Sequence, residues 1–278
     1  MTAYEQILFE VEDPVATITL SRPQALNAWT DRMGFEVRHA ISVAERDPRV
    51  VGIVITGAGR GFCAGADLNR LSAVSAGSRT VETAGDLAAE PGDESFGDDL
   101  RLGTHTYLLS VPKPVIAAIN GPVAGMAVPI VLACDLRFMA EDAVLMTAFS
   151  QRGLIAEWGI AWLLPRLVGT AVALDLLFSS RKVTGTECAA LGLVNAALPR
   201  EDVLKHAQQY VRDLAATSSP TSMAIMKRQV YRQLHAGLLA AEQEARALML
   251  ESFSRSDFRE GVSSFLEKRP PEFDRLGG

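Results

Sequence analysis

The run VVGIVIT at residues 50–56 constrains the fold more than any other stretch of the chain. It is continuous, apolar and rich in β-branched side chains, with no polar face. A strand of that kind has to be covered on both sides, as in a parallel sheet flanked by helices. A Gly/Ala-rich turn follows at 57–67 (GAGRGFCAGAD). The pattern recurs downstream: residues 115–119 read as a second buried strand, 120–125 as a turn and 126–134 as an apolar helix. Upstream, apolar runs at 7–11 and 15–20 are separated by Glu12-Asp13-Pro14, a hairpin-like break. Residues 26–46 have helical spacing, with Met33, Val37, Ala40, Ile41 and Ala44 on one face. A helix is expected at 101–110, short strands at 136–140 and 144–147, and an apolar helix at 160–168 that accommodates Pro165. From Val203 onward the chain reads as amphipathic helices, ending in a tail at Arg269-Pro270-Pro271. Repeated strand–turn–helix units predict an α/β core over residues 1–200 and a helical region over 201–278. Residues 72–99, rich in small and acidic side chains with weak periodicity, read as a mobile lid or loop–helix segment.

Composition narrows the function. Of the 278 residues, 48% are hydrophobic and 22% charged, which excludes a disordered chain or a coiled-coil rod. The net charge is −6 and there is no basic run, so neither nucleic acid nor an anionic membrane is an expected partner. No stretch approaches the roughly 18–20 apolar residues of a membrane span. Residues 1–10 carry acidic or amide side chains and no basic one, unlike a signal or transit peptide. Cys63, Cys134 and Cys188 are an odd number and far apart, which fits buried thiols in a reducing cytoplasm. The four histidines form no HExxH or HxxxH pair, so no structural zinc is expected.

A glycine-rich turn after a buried strand invites a dinucleotide-binding reading. That pattern needs GxGxxG, and here Gly57, Gly59 and Gly61 are followed by Phe62. A P-loop would need GK[ST] and a nucleophile elbow GxSxG; both are absent. What the chain does have is two separated turn–helix junctions, Gly65-Ala66-Asp67 and Gly125-Met126-Ala127, each after a buried strand. Each can present free backbone N–H groups at a helix start. Two convergent N–H donors are what an oxyanion hole requires.

From these residues outward the chain resembles the crotonase (enoyl-CoA hydratase/isomerase) superfamily. The resemblance rests on RPQALNAW (22–29), VVGIVITGAGRGFCAGADL (50–68), KPVIAAINGPVAGMAVPIVLACDLRF (113–138), RGLIAEWGIAWLLPRLVG (152–169) and EGVSSFLEKR (260–269). It implies a spiral of ββα units with a C-terminal helical, trimerising region, a homotrimer or dimer of trimers, and an acyl-CoA thioester substrate. It implies no separate cofactor and no metal. The oxyanion donors would be the N–H groups of Ala66 and Met126. CoA would lie along Leu26, Ala28, Cys63 and Ala64, with Asp67 and Leu68 beside it. Phe265 and Lys268 match positions that close over CoA near a subunit boundary.

The same resemblance exposes a departure. Hydratases of the family use two glutamates to activate water, and those positions here hold Pro129 and Phe149. Neither can accept a proton; Phe149 can only line the acyl site. A third position remains, Glu157 in GLIAEWG, where several double-bond isomerases of the family carry an acid. Its neighbours Ile155, Ala156 and Trp158 are expected to desolvate it and raise its pKa. One such base can move a proton between two carbons. The competing reading of Glu157 is a helix N-terminal residue favoured by the macrodipole. Expectation is therefore double-bond isomerisation. Alternatives are enoyl-CoA hydration in fatty-acid β-oxidation, acyl-CoA hydrolysis, or acyl-CoA binding without catalysis. Asp67 and Asp135 read as turn braces, His105 as a packing residue, and Arg152 and Glu187 as structural ion-pair partners. Trp162 reads as core, Trp158 as pocket wall, and Cys63 as lacking the basic partner a thiolate needs.

Overall fold

Residues 4–77 and 84–276 are described by the computed structural model. In chain order the elements are β1 (Ile7–Glu12), β2 (Val15–Leu20), α1 (Asp31–Arg46), β3 (Gly52–Gly57), α2 (Leu68–Ser75), α3 (Asp98–Arg101), β4 (Val115–Ile119), β5 (Val123–Ala124), α4 (Ala127–Ala133), β6 (Leu136–Ala140), β7 (Val144–Met146), α5 (Ile160–Ser179), β8 (Val183–Thr184), α6 (Gly185–Ala190), β9 (Ala196–Leu198), α7 (Val203–Thr217), α8 (Pro220–Gln233), α9 (Leu238–Ser252) and α10 (Ser256–Glu267). One sheet has the order β1-β2-β3-β4-β6-β9, antiparallel between β1 and β2 and parallel thereafter. A smaller sheet has the order β5-β7-β8. Each pass of the chain therefore adds one strand to the large sheet and a short one to the small sheet. That is the spiral of ββα units, with the helical C-terminal region, that the sequence implied.

Every residue of β3 and β4 is buried, as their uninterrupted apolar sequences require. Helix α1 covers one part of the sheet with Met33, Val37, Ala40, Ile41 and Ala44. Helix α7 covers another with Val203, Ala207 and Val211. A Cβ on Gly52 would lie 2.9 Å from Val211 Cγ2, so α7 rides directly on the backbone of β3. Gln208 Nε2 also donates to Thr17 Oγ1, 3.1 Å away in β2.

Two buried cations staple distant segments. Lys113 is fully buried and donates to Ala44 O (3.1 Å) and Asp47 O (2.7 Å), the last carbonyls of α1. Burial pulls its pKa down to about 8. Lys227 of α8 pairs with Asp135 at 2.7 Å. Asp135 also accepts from Tyr231 Oη (2.9 Å) and Val115 N (2.7 Å). The brace expected of Asp135 thus reaches the C-terminal region, not only its own turn.

Several expectations need correction. Helix α1 begins at Asp31 rather than residue 26, because Pro23–Ala25 form a 3-10 turn and Leu26 and Asn27 take positive φ (49° and 56°). The helix expected at 101–110 is two pieces, α3 and a 3-10 turn at Thr106–Ser110. The turn at 120–125 contains β5, and β8 and β9 are too short to have been read. Helix α5 runs on to Ser179 and, by length and composition alone, could cross a membrane, against the expectation of no such stretch. It is interrupted at Gly169 and sends Ile160, Leu163, Leu164, Ala173 and Leu176 into the core. Within 72–99, residues 78–83 lie outside the described residues; Leu87 and Phe96 are buried, and Gly92 N donates to Glu45 Oε2 at 2.9 Å. Ser95 accepts from Arg228 (3.1 Å) and Arg232 (3.0 Å) of α8, so this flank is tied down.

Candidate active site

The two turn–helix junctions meet. Ala124 N donates to Cys63 O (3.1 Å), and Cys63 and Val123 form a parallel bridge. A second bridge joins Trp29 and Ala66: Trp29 N donates to Gly65 O (2.7 Å) and Asp67 N to Trp29 O (3.0 Å). Between them Gly65 has φ +97°, and a Cβ there would lie 2.8 Å from Ala124 O and 3.8 Å from Gly125 Cα. Only glycine permits that approach. Flanking N–H groups of Ala64, Asp67, Ala124, Gly125 and Val128 are all engaged. Those of Ala66 and Met126 donate to nothing among the described residues. Two open main-chain donors on adjoining turns can receive one carbonyl oxygen.

A second layer holds the first turn. Asn27 is fully buried; its Oδ1 accepts from Arg22 N (2.8 Å), and its Nδ2 donates to Ala58 O and Gly61 O, each at 2.9 Å. Arg22 Nη1 donates to Ala28 O (2.6 Å) and pairs with Asp67 at 3.0 Å. Ala64 N donates to Leu26 O (3.0 Å). Leu26, Ala28, Cys63 and Ala64 are thereby brought to one strip, with Ala64 exposed and Cys63 buried. Asp67 braces the turn as expected, accepting also from Asn69 N at 3.0 Å. Leu68 opens α2, and its side chain lies outside the described residues. Burial pushes the Cys63 thiol up to about 12, so it is no thiolate. Asn27 and Arg22 were missed as site-builders, although both lie within the RPQALNAW motif. The signal was an Asn in a proline-led turn, a residue type that tolerates positive φ and bonds local backbone.

Glu157 is half-buried and precedes α5, where Ile160 N donates to its carbonyl at 3.1 Å. Trp158 has φ +56°, and its Nε1 donates to Glu157 Oε2 at 3.1 Å. The Trp158 ring packs edge-on against His105 (centroids 5.3 Å apart), and His105 packs edge-on against Trp29 (5.6 Å). The carboxyl is thus linked by direct contacts to the residue whose backbone holds the Ala66 turn. The apolar enclosure expected around it is not met. The loop faces outward, with Ile155 78% and Trp158 36% exposed. His105 is the packing residue expected, though buried in this chain of rings.

Pro129 is buried in the first turn of α4, and Phe149 is 4% exposed. Met126 is 9% exposed. Phe265 is 81% exposed and Lys268, with φ +56°, caps α10; neither has a hydrogen bond or ring contact to the site among the described residues. Arg152 donates to Ala148 O rather than pairing with an acid, whereas Glu187 pairs with Arg181 at 2.6 Å. Trp162 is partly buried against the edge of the core, where it also stacks on His235 and lies under Arg166. No cluster of three or more His, Cys, Asp or Glu that could hold a metal occurs among the described residues.

Comparison with known proteins finds matches along nearly the whole chain. The family model described as "Enoyl-CoA hydratase/isomerase" matches residues 10–275. A Rhodobacter capsulatus protein named "Probable enoyl-CoA hydratase" is 35% identical over 275 residues, 98% of each chain. The 1,2-epoxyphenylacetyl-CoA isomerase of Escherichia coli is also 35% identical, over 97% of this chain and 98% of its own. The crystal structure of enoyl-CoA hydratase from Bacillus anthracis superposes with a TM-score of 0.84 at 26% identity, covering 99% of this chain and 100% of that one. With the spiral, the paired turns and a match from residue 10 to residue 275, the chain belongs to the enoyl-CoA hydratase/isomerase (crotonase) family.

Proposed function

We propose that this acyl-CoA enzyme isomerises a double bond of its substrate. The thioester carbonyl oxygen accepts from the N–H groups of Ala66 and Met126. Glu157 takes a proton from a carbon activated by that carbonyl, and the C–H electron pair moves into an enolate held by the two donors. The enolate then collapses with the double bond shifted, and Glu157 returns the proton to another carbon. No positioned water enters. The observation that carries this reading is the placement of carboxyls: Pro129 and Phe149 are silent, while Glu157 is tied through Trp158, His105 and Trp29 to the turn that bears Ala66. CoA runs along Leu26, Ala28, Cys63 and Ala64, with Asp67 and Leu68 beside it.

A second reading is hydration with Glu157 activating water, favoured by the many relatives named as hydratases. A panel of 2-enoyl, 3-enoyl and dienoyl CoAs with mass spectrometry separates the two. Isomerisation keeps the mass, hydration adds water, and hydrolysis releases CoA. A chain that binds acyl-CoA and returns every thioester with its double bond in the original position, as chromatography of the products would show, is a binder only, which refutes the proposal.

We further infer a homotrimer or a dimer of trimers. Leu238 and Leu239 of α9, Phe253 just after it, and Phe265 and Leu266 of α10 are large apolar side chains left exposed. Exposed apolar surface of this kind marks contact regions. Phe265 and Lys268 would then reach CoA across a subunit boundary. Light scattering that finds a monodisperse monomer of about the 29.9 kDa chain mass refutes the assembly.

A further inference from the structure

The residue after Glu157 stands in a backbone region that bulky side chains seldom enter. Trp158 has φ +56° and Gly159 follows at φ +81°, so two left-handed residues in succession turn the chain from Glu157 into α5. Glycine takes such a conformation without strain. A tryptophan does not, and the strain persists only where the surroundings over-determine it. Here they are close. The Trp158 ring packs edge-on against buried His105, and His105 packs edge-on against buried Trp29. A Cβ on Gly159 would come within 3.0 Å of Thr106 Cγ2, so the turn sits directly on the segment that carries His105.

The strained turn aims one N–H. Trp158 Nε1 donates to Glu157 Oε2 at 3.1 Å. No other hydrogen bond and no ion pair reaches that carboxyl among the described residues. A glutamate carboxyl rotates broadly about its last bond and otherwise presents either oxygen. With Oε2 held by the indole, Oε1 is the oxygen left to meet a substrate proton. The indole is held in turn by His105, and so has a definite place relative to the Trp29–Ala66 bridge.

We propose that Trp158 is a positioning residue: by holding Glu157 Oε2 it makes Oε1 the single oxygen that both takes and returns the proton. The inference rests on the isomerase reading above and deepens it. Oε1 takes the proton, and the C–H electron pair passes into the enolate. The new O–H bond then breaks as the same proton joins a carbon two bonds away, and its electron pair stays on Oε1. A carboxyl confined in this way delivers the proton it took, on the face from which it took it. Release of the carboxyl lets it rotate and pass the proton to water.

The test is turnover of 3-hexenoyl-CoA dideuterated at C2, in ordinary water, with mass spectrometry of the 2-hexenoyl product. Delivery by one oxygen keeps both deuteriums, one of them moved to C4; exchange with water loses one. The wild-type protein should keep both in a measurable fraction of its early product. Trp158→Phe removes the N–H, keeps a ring against His105 and carries the same left-handed strain, at a position 36% exposed where folding is not at risk. A hydrogen bond to a charged group is worth about ten- to a hundredfold. The variant should therefore lose about tenfold or more in kcat with KM nearly unchanged, and its product should keep almost none of the second deuterium. A pocket wall alone would move KM and leave the retained fraction as it was. Wild-type kcat and retention in Trp158→Phe, beside an inactive Glu157→Gln, overturns the positioning role and leaves the acid/base reading intact. So does a wild type that isomerises the substrate but loses the second deuterium in every turnover. Full turnover in Glu157→Gln, or a wild type that neither isomerises nor exchanges this substrate, fails the acid/base reading, and the positioning role falls with it.

Discussion

Replacing Gly65 by alanine tests the junction of the two turns with one methyl group. Two costs can be separated. A non-glycine residue at φ +97° is strained by about 1–3 kcal/mol. The new Cβ would also lie 2.8 Å from Ala124 O, where ordinary carbon–oxygen contacts begin near 3.3 Å. Neither neighbour is a flexible side chain, so the turns must part by about 0.5 Å, the tolerance within which a preorganised site works. On the proposed function, the N–H groups of Ala66 and Met126 would then no longer meet on one oxygen. Losing one oxyanion donor lowers turnover by about 10²–10³. We expect Gly65→Ala to lose turnover on that scale in the isomerase assay and to melt a few degrees lower, while still binding acyl-CoA. Gly192→Ala is the control: its φ is +74°, but the nearest atom to the new Cβ is 3.8 Å away. It should show the strain without the loss of rate. Wild-type turnover in a folded Gly65→Ala protein would refute the claim that this close approach sets the donor geometry.

Glu157→Gln should lose turnover by about 10²–10⁴ and stop exchange of the substrate's α- or γ-protons with deuterated water; undiminished exchange moves the base elsewhere. Asp135→Ala leaves Lys227 buried without its counter-charge and Tyr231 without its acceptor, so it should cost about 3–5 kcal/mol in denaturant unfolding. A cost below about 1 kcal/mol would show that the staple is not holding α8. The pH dependence of stability should change sign. Burial lowers Lys113 from 10.5 to about 8, so the unfolded chain holds that proton longer and stability rises with pH across that interval. Burial raises Cys63, Cys134 and Cys188 from 9 to about 12, so the native state holds those protons longer and stability falls with pH over that range. Unfolding measured from pH 8 to 11 should therefore turn downward, and Lys113→Met should remove the early rise. A flat profile would refute both assignments.

The buried strands were legible because continuous β-branched runs such as 50–56 have one physical outcome. So was the helical face of α1, but not its start: a proline-led turn and two left-handed residues take up the positions that periodicity assigned to the helix. Strands of two or three residues, such as β8 and β9, carry too few side chains to show a period. The two adjoining glycine turns could be found from glycine placement, whereas the Trp158–His105–Trp29 contacts could not. They join residues far apart in sequence through ring packing that composition does not encode. Glu157's apolar neighbours were read correctly as residues and wrongly as an enclosure, because hydropathy does not say which way a loop faces. The Asp135–Lys227 pair spans 92 positions and has no local signature.

The open donors at Ala66 and Met126 belong to the peptide backbone, and this has a consequence for how such a protein can change over time. Nearly any amino acid supplies the same N–H, so point mutation at either position would alter the shape of the site while sparing the donor that the proposed function assigns to it; proline is the exception. On the function proposed above, the proton-moving role rests by contrast on whichever side chains stand at 129, 149 and 157. One half of the chemistry is thus protected by chain geometry, and the other is replaceable one codon at a time. A scaffold divided in this way can exchange reactions without refolding, and the combination of Pro129, Phe149 and Glu157 is one setting of it.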